Sequence, residues 1–259
     1  MQINPPYGFK EVVPLAKTHR VHLMQGRAVP AAFRSTTLLP ISCSEFPPAS
    51  RDYPLAFISG DQGKTFMPMA VLGFEARQNL FVQPDGLWDA ATYLPAYVRR
   101  YPFCMTRITV NGEVRPERVT CVEKQALDDH GAALFDKKGN PAPEWQALEK
   151  LLFEYEADMS RTEEMCRLLA EYRLLEPFVM QAVPNQGQPL QMTGLFRIAE
   201  NGLGALEAAQ LKQLAQKNFL GCLYAHLFSL ANFERLLGRR AALAQTVSAE
   251  KPPAKKKLN

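Results

Sequence analysis

Four prolines, Pro14, Pro40, Pro54 and Pro68, fall in or beside the apolar runs that open this chain. The runs are rich in β-branched and aromatic residues and read as strands at 11–15, 20–24, 36–41, 53–59, 65–73 and 79–83. Proline has no N–H to give to a ladder, so these strands are expected to be short, bulged or at sheet edges. Two more strands are expected at 104–110 and 114–122, around the hairpin signal Asn111-Gly112.

The second half has a different period. Trp145, Leu148, Leu151, Leu152 and Tyr155 recur at helical spacing over 143–158. A second helix is expected from Ser160, where Ser160 and Glu163 have capping-box spacing, to the stop at Pro177. The pair predicts a helical hairpin turning at Asp158–Arg161. Strands follow at 178–183 and 191–198, joined by a turn at Asn185–Pro189, then helices at about 205–216 and 218–237. The stretch Phe219–Ala231 is apolar on nearly every side, which places it at the centre of the core.

The expected fold is therefore α+β, with a β-rich part at 7–127 and a mixed helical part at 143–245. The polar stretch 128–142 connects them, and residues 1–245 are expected to form one cooperative domain. Residues 246–259 read as a disordered lysine-rich tail. Composition agrees with a globular body: 259 residues, 47% hydrophobic and 22% charged, which excludes a disordered or collagen-like chain. The net charge of +4 resides in the four lysines of 251–259; the remaining 26 basic and 26 acidic residues cancel. The tail is expected to aid solubility, and no nucleic-acid partner is expected.

Five widely spaced cysteines contain no CxxC pair, so reduced, buried thiols are expected rather than disulfides or structural zinc. The first twenty residues lack the basic and apolar regions of a secretory signal, and no run is long enough for a membrane span. A cytoplasmic protein without metal or cofactor is expected.

Several candidate sites fail on spacing. Gly63-Lys64-Thr65 follows a strand, but the glycine before it is too close for a phosphate loop and a second strand follows, so 59–65 reads as a hairpin turn. His19 and His22 would point to opposite faces of a strand. His226 reads as a buried neutral imidazole with Ser229 as a possible partner. His19 and His226 are the acid/base candidates if the protein is an enzyme, but no GxSxG or HExxH signature accompanies them. Glu45, Glu75, Asp85 and Asp89 show no spacing that pairs them.

The informative segment is NLFVQPDGLWDAATYLPAYVRRYPF, residues 79–103. Trp88, Tyr93, Tyr97, Tyr101 and Phe103 crowd around Arg99 and Arg100. A guanidinium can stack on such rings and grip a carboxylate or phosphate as a fork. Asn79, Asp85, Trp88, Tyr93, Tyr97, Arg99, Arg100 and Tyr101 are therefore the candidate ligand residues for an anionic or sugar-like group. The alternative is a loop held on the core by its aromatics, with arginines bonding exposed carbonyls.

The same segment resembles the SapC family, whose pattern is an Asn-Leu-Phe run, an Asp-Gly-x-Trp turn and Tyr-x-Pro-Ala-Tyr-x-Arg-Arg-Tyr-Pro-Phe. Val13-Pro14-Leu15 with His19, Glu45-Phe46 with Tyr53-Pro54, and Leu134-Phe135-Asp136 with Gly139 continue the resemblance. So do Leu174 to Pro177, Gly194-Leu195-Phe196 and Ala225 to Leu230, so that it covers about residues 7–238. It implies a bacterial accessory protein associated with the surface layer, with no established catalytic chemistry or cofactor. The expected role is a non-catalytic accessory to envelope or surface-layer biogenesis that binds a protein, peptide or glycan. Homo-oligomerisation is a further option. The alternatives are an enzyme of unrecognised class acting on a small anionic or sugar-like substrate, and a tail-mediated binder of nucleic acid or membrane.

Overall fold

The computed structural model describes residues 2–110, 113–182 and 189–249. In chain order the elements are β1 (Gln2–Ile3), β2 (Val12–Pro14), β3 (Arg20–Val21), β4 (Leu38–Pro40), α1 (Phe46–Ala49), β5 (Leu55–Ile58) and β6 (Met67–Val71). Next come α2 (Ala96–Arg99), β7 (Phe103–Val110), β8 (Glu113–Glu123), β9 (Ala132–Ala133) and α3 (Pro143–Glu171). The chain continues through β10 (Leu175–Ala182), β11 (Leu190–Ile198), α4 (Glu200–Gly204), α5 (Ala208–Gln216), α6 (Leu220–Ser229) and α7 (Asn232–Ala249). The architecture is α+β. Strands form three antiparallel sheets, ordered β1-β7-β8-β2, β10-β11-β5-β6-β4 and β3-β9.

Proline sets where the strands end. β2 and β4 finish on Pro14 and Pro40, and β5 begins directly after Pro54. Pro68 lies inside β6, where its carbonyl accepts from the Ile41 N–H at 3.2 Å. It has no N–H to return, and β4 stops one residue earlier. The segment 79–83 forms no strand; its only ladder contact is an isolated bridge from Val82 to Trp88. β7 and β8 pair up to Val110 and Glu113, with one register shift between Arg107 and Thr109. Asn111 and Gly112 themselves lie outside the described residues, as do 183–188 between β10 and β11.

The helical hairpin is replaced by one helix of 29 residues, α3. Pro143 occupies its first turn, where the missing N–H costs nothing. Its buried positions run through the expected turn without a break: Leu152, Tyr155, Asp158, Thr162, Met165 and Leu169. Ser160 is no cap; its hydroxyl donates to the Glu156 carbonyl. The polar residues that suggested a turn serve another element. Asp158 accepts the Ser44 N–H at 2.8 Å and Thr162 accepts the Cys43 N–H at 2.9 Å. They satisfy the opening amides of the 3-10 turn at Cys43–Glu45 that leads into α1. α3 ends in a Schellman arrangement: Arg173 has φ +54°, Arg173 N–H meets the Ala170 carbonyl and Leu174 N–H meets that of Leu169.

The expected helix at 218–237 is two helices, α6 and α7, broken at Leu230–Ala231. α6 buries Cys222, Leu223, His226 and Ser229 but leaves Phe228 76% exposed, so it covers the core rather than threading it. α7 extends to Ala249, so residues 246–249 are helical, against the expectation of a disordered tail; 250–259 lie outside the described residues. The main hydrophobic cluster draws on residues from Phe9 to Leu236, in both halves of the chain. A smaller cluster joins Phe103 and Val122 to Trp145 and Leu152 of α3.

Candidate functional site

Residues 79–103 are bound to the body by many side-chain hydrogen bonds. Trp88 is buried, and its Nε1–H donates to the Tyr53 hydroxyl at 3.0 Å. That hydroxyl donates in turn to the Tyr93 carbonyl. Asn79 donates to the Phe33 carbonyl at 3.0 Å and accepts from the Phe81 N–H. Asp85 accepts the Leu87 N–H at 2.9 Å, closing the turn at Gly86, where φ is +81°. Tyr97 donates to the Tyr7 carbonyl at 2.7 Å. Besides Arg99, an arginine that the sequence did not single out bonds carbonyls along this loop. Arg27 reaches the Trp88 carbonyl at 3.2 Å and that of Asp89 at 2.8 Å.

The two arginines of the run part company. Arg100 is 3% exposed. Its guanidinium lies over Tyr97 at 4.2 Å, Tyr155 at 4.8 Å and Phe9 at 5.4 Å. Its partner is Glu156 of α3, at 3.9 Å, which also meets Arg118. Burial raises the Glu156 pKa, and the two arginines oppose that shift. Arg100 therefore ties α2 to α3 inside the core.

Arg99 is half-buried. Its Nε donates to the Leu94 carbonyl at 3.1 Å and its Nη2 to the Tyr93 hydroxyl at 3.2 Å. Tyr93 donates to Glu45, 3.1 Å away. Burial, helped by the Glu45 charge, pushes the Tyr93 phenol well above its ordinary pKa, so it stays a donor. Glu45 is itself buried; it takes the Ser42 N–H at 3.0 Å and the Ala96 N–H at 2.6 Å. A chain Glu45–Tyr93–Arg99 thus runs outward from the core. It ends at a cavity of about 300 Å³ lined by Arg99 and Tyr101, by Leu23, Met24 and Gln25, and by Glu144 and Leu148 of α3. Of the eight sequence candidates, Arg99 and Tyr101 line this cavity.

A larger cavity, about 390 Å³, lies between β10, β11, α4 and α6. Its arginine, Arg197, is already paired with Glu176 at 2.7 Å, both being wall residues. The Arg99 cavity differs because its cation has no carboxylate partner among the described residues.

The histidines stand apart from it. His226 is fully buried against Phe57, and its Nε2 accepts the Ile198 N–H at 3.1 Å. Burial lowers its pKa to about 4, which keeps it neutral. The expected partner Ser229 does not bond the ring. Its hydroxyl donates to the His226 carbonyl and accepts the Leu55 N–H. His19 accepts the Ala16 N–H at 3.2 Å. In the turn at 59–65, Asp61 takes the Lys64 and Thr65 amides and Ser59 takes that of Gly63, so the loop amides are used internally. Thr65, through its backbone and its hydroxyl, holds the Asp61 pKa down to about 2. All five cysteines are free and buried. Burial raises Cys104 and Cys166 to about 12 and Cys121 to about 11. No group of three or more His, Cys, Asp or Glu among the described residues is placed to hold a metal ion. No helix among them is long and apolar enough to cross a membrane.

The folded segment 79–103 lies inside the region that the SapC family model matches, residues 16–236. The chain belongs to the SapC family. No curated protein and no solved structure matches it.

Proposed function

We propose that this SapC-family chain is a non-catalytic binding protein that serves cell-surface biogenesis, in the envelope or the surface layer, from the cytoplasmic side. It engages its partner through the Arg99 cavity, recognising a carboxylate carried by a peptide or protein. The observation that carries this reading is Arg99 itself. Two of its nitrogens are tied to Leu94 and Tyr93, it lines an open cavity, and it has no ion-pair partner among the described residues. Such a guanidinium is oriented before the ligand arrives, which lowers the ordering cost of binding. The envelope role is supported by family membership.

The test is affinity capture from cells that make the protein, with wild type and Arg99→Ala compared at equal folded content. Loss of the captured partner in the variant supports the reading. Unchanged capture sinks it.

A further inference from the structure

The Arg99 cavity has a second charge. Glu144, an exposed residue in the first turn of α3, lines the same space. Arg99 and Glu144 are not ion-paired with each other. Neither has another ion-pair partner among the described residues. Two opposite charges held apart across a small space attract a molecule that carries the complementary pair. The rest of the wall is mostly apolar, Leu23, Met24, Leu148 and the Tyr101 ring, with Gln25 as one neutral polar residue.

Size narrows the class. At about 300 Å³ the cavity sits at the lower end of the range for small-molecule sites, about 300–1,000 Å³. A folded partner surface does not fit inside it; an amino acid or a dipeptide does. The larger cavity offers no unpaired cation, since its arginine, Arg197, is bound to Glu176 there.

We infer that the Arg99 cavity binds a small zwitterion with an apolar side chain, an amino acid of the leucine type. Its carboxylate is gripped by Arg99, its ammonium by Glu144, and its side chain lies against Leu23, Met24 and Leu148. This inference rests on the proposed reading of the Arg99 cavity as a carboxylate site and names the ligand class there. Glu144 also has a role without ligand, because a carboxylate in a helix's first turn favours the helix. The test must therefore separate the two roles.

Isothermal titration of the full chain with L-leucine, 4-methylpentanoate and 3-methylbutylamine does so, because the second probe lacks the ammonium and the third the carboxylate. L-leucine is expected to bind about tenfold or more tightly than either. Glu144→Gln should weaken leucine by about tenfold and leave 4-methylpentanoate unchanged, a pattern that a purely structural glutamate cannot give. Arg99→Met should weaken leucine and 4-methylpentanoate alike. Leucine that does not bind, or that binds no better than 4-methylpentanoate, overturns the inference. If partner capture still depends on Arg99 in that case, the wider reading survives. If leucine binds as described while capture ignores Arg99→Ala, the wider reading falls and the zwitterion site stands.

Discussion

Arg99 and Arg100 are adjacent in sequence and sit at the end of the same short helix, yet they do different work. One residue of helix turns the chain by about 100°, so neighbours meet different surroundings. Arg100 is enclosed by three aromatic rings and a glutamate, and its charge holds two helices together. Arg99 is tied through Nε to Leu94 and through Nη2 to Tyr93 and lines an open cavity. The same contrast separates the other buried polar groups, His226 and Asp158, from the cavity. A polar group sealed among partners reports on stability, and one facing space reports on binding.

That contrast breaks if Arg100→Ala is mild. It empties the ring cage and removes one of the two arginines on Glu156, so a loss of about 3–5 kcal/mol in urea unfolding is expected, mostly from the cavity left behind. Arg100→Met, which keeps an apolar stem, should lose less. His226 gives the next effect. The unfolded imidazole takes its proton near pH 6.5 and the folded one only near pH 4. Below pH 6.5 the unfolded state binds more protons, so stability falls with pH and the loss is complete below about pH 4. The depression corresponds to about 3 kcal/mol. Urea midpoints from pH 7 to pH 4 should fall more steeply for wild type than for His226→Leu; equal slopes would place the proton elsewhere.

Asp158→Ala should cost about 1–2 kcal/mol, the worth of a helix cap, because it frees the Ser44 amide far away in sequence. Arg99→Ala should change stability least, by about 1 kcal/mol, since it removes two bonds from a half-buried side chain. Its effect belongs to capture instead. A large loss of stability with Arg99→Ala, or lost capture with a folded Arg100→Met, would erase the distinction between the two residues.

Legibility follows the range of the interaction. The proline-limited strands were readable because a missing N–H acts within one residue pair. The family resemblance was readable because its pattern is contiguous. The break in α3 was expected for a local reason, Ser160 and Glu163 at capping-box spacing. The working arrangement of that spacing is Ser42 and Glu45, where Glu45 accepts from the Ser42 N–H and hydroxyl. The buried face of α3 passes through Asp158 and Thr162, which are polar, so the apolar stripe is interrupted there and gave no signal against a turn. Asp158 and Thr162 look like turn residues until their partners, more than a hundred positions away, are known.

The site divides in the same way. Arg99 and Tyr101 were found because they lie in a conspicuous run. Glu45, Glu144, Leu23 and Met24 were not, since they reach the site only through the fold. Residue order alone settled the α+β composition, the turn between β5 and β6 and the crowding of two cations among aromatics. These depend on backbone chemistry and on neighbours along the chain. Tertiary structure alone decided which guanidinium is enclosed and which lines a cavity. Enclosure is supplied by side chains distant in sequence, Phe9, Tyr155 and Glu156 for Arg100, and burial is what turns a charge into a structural tie.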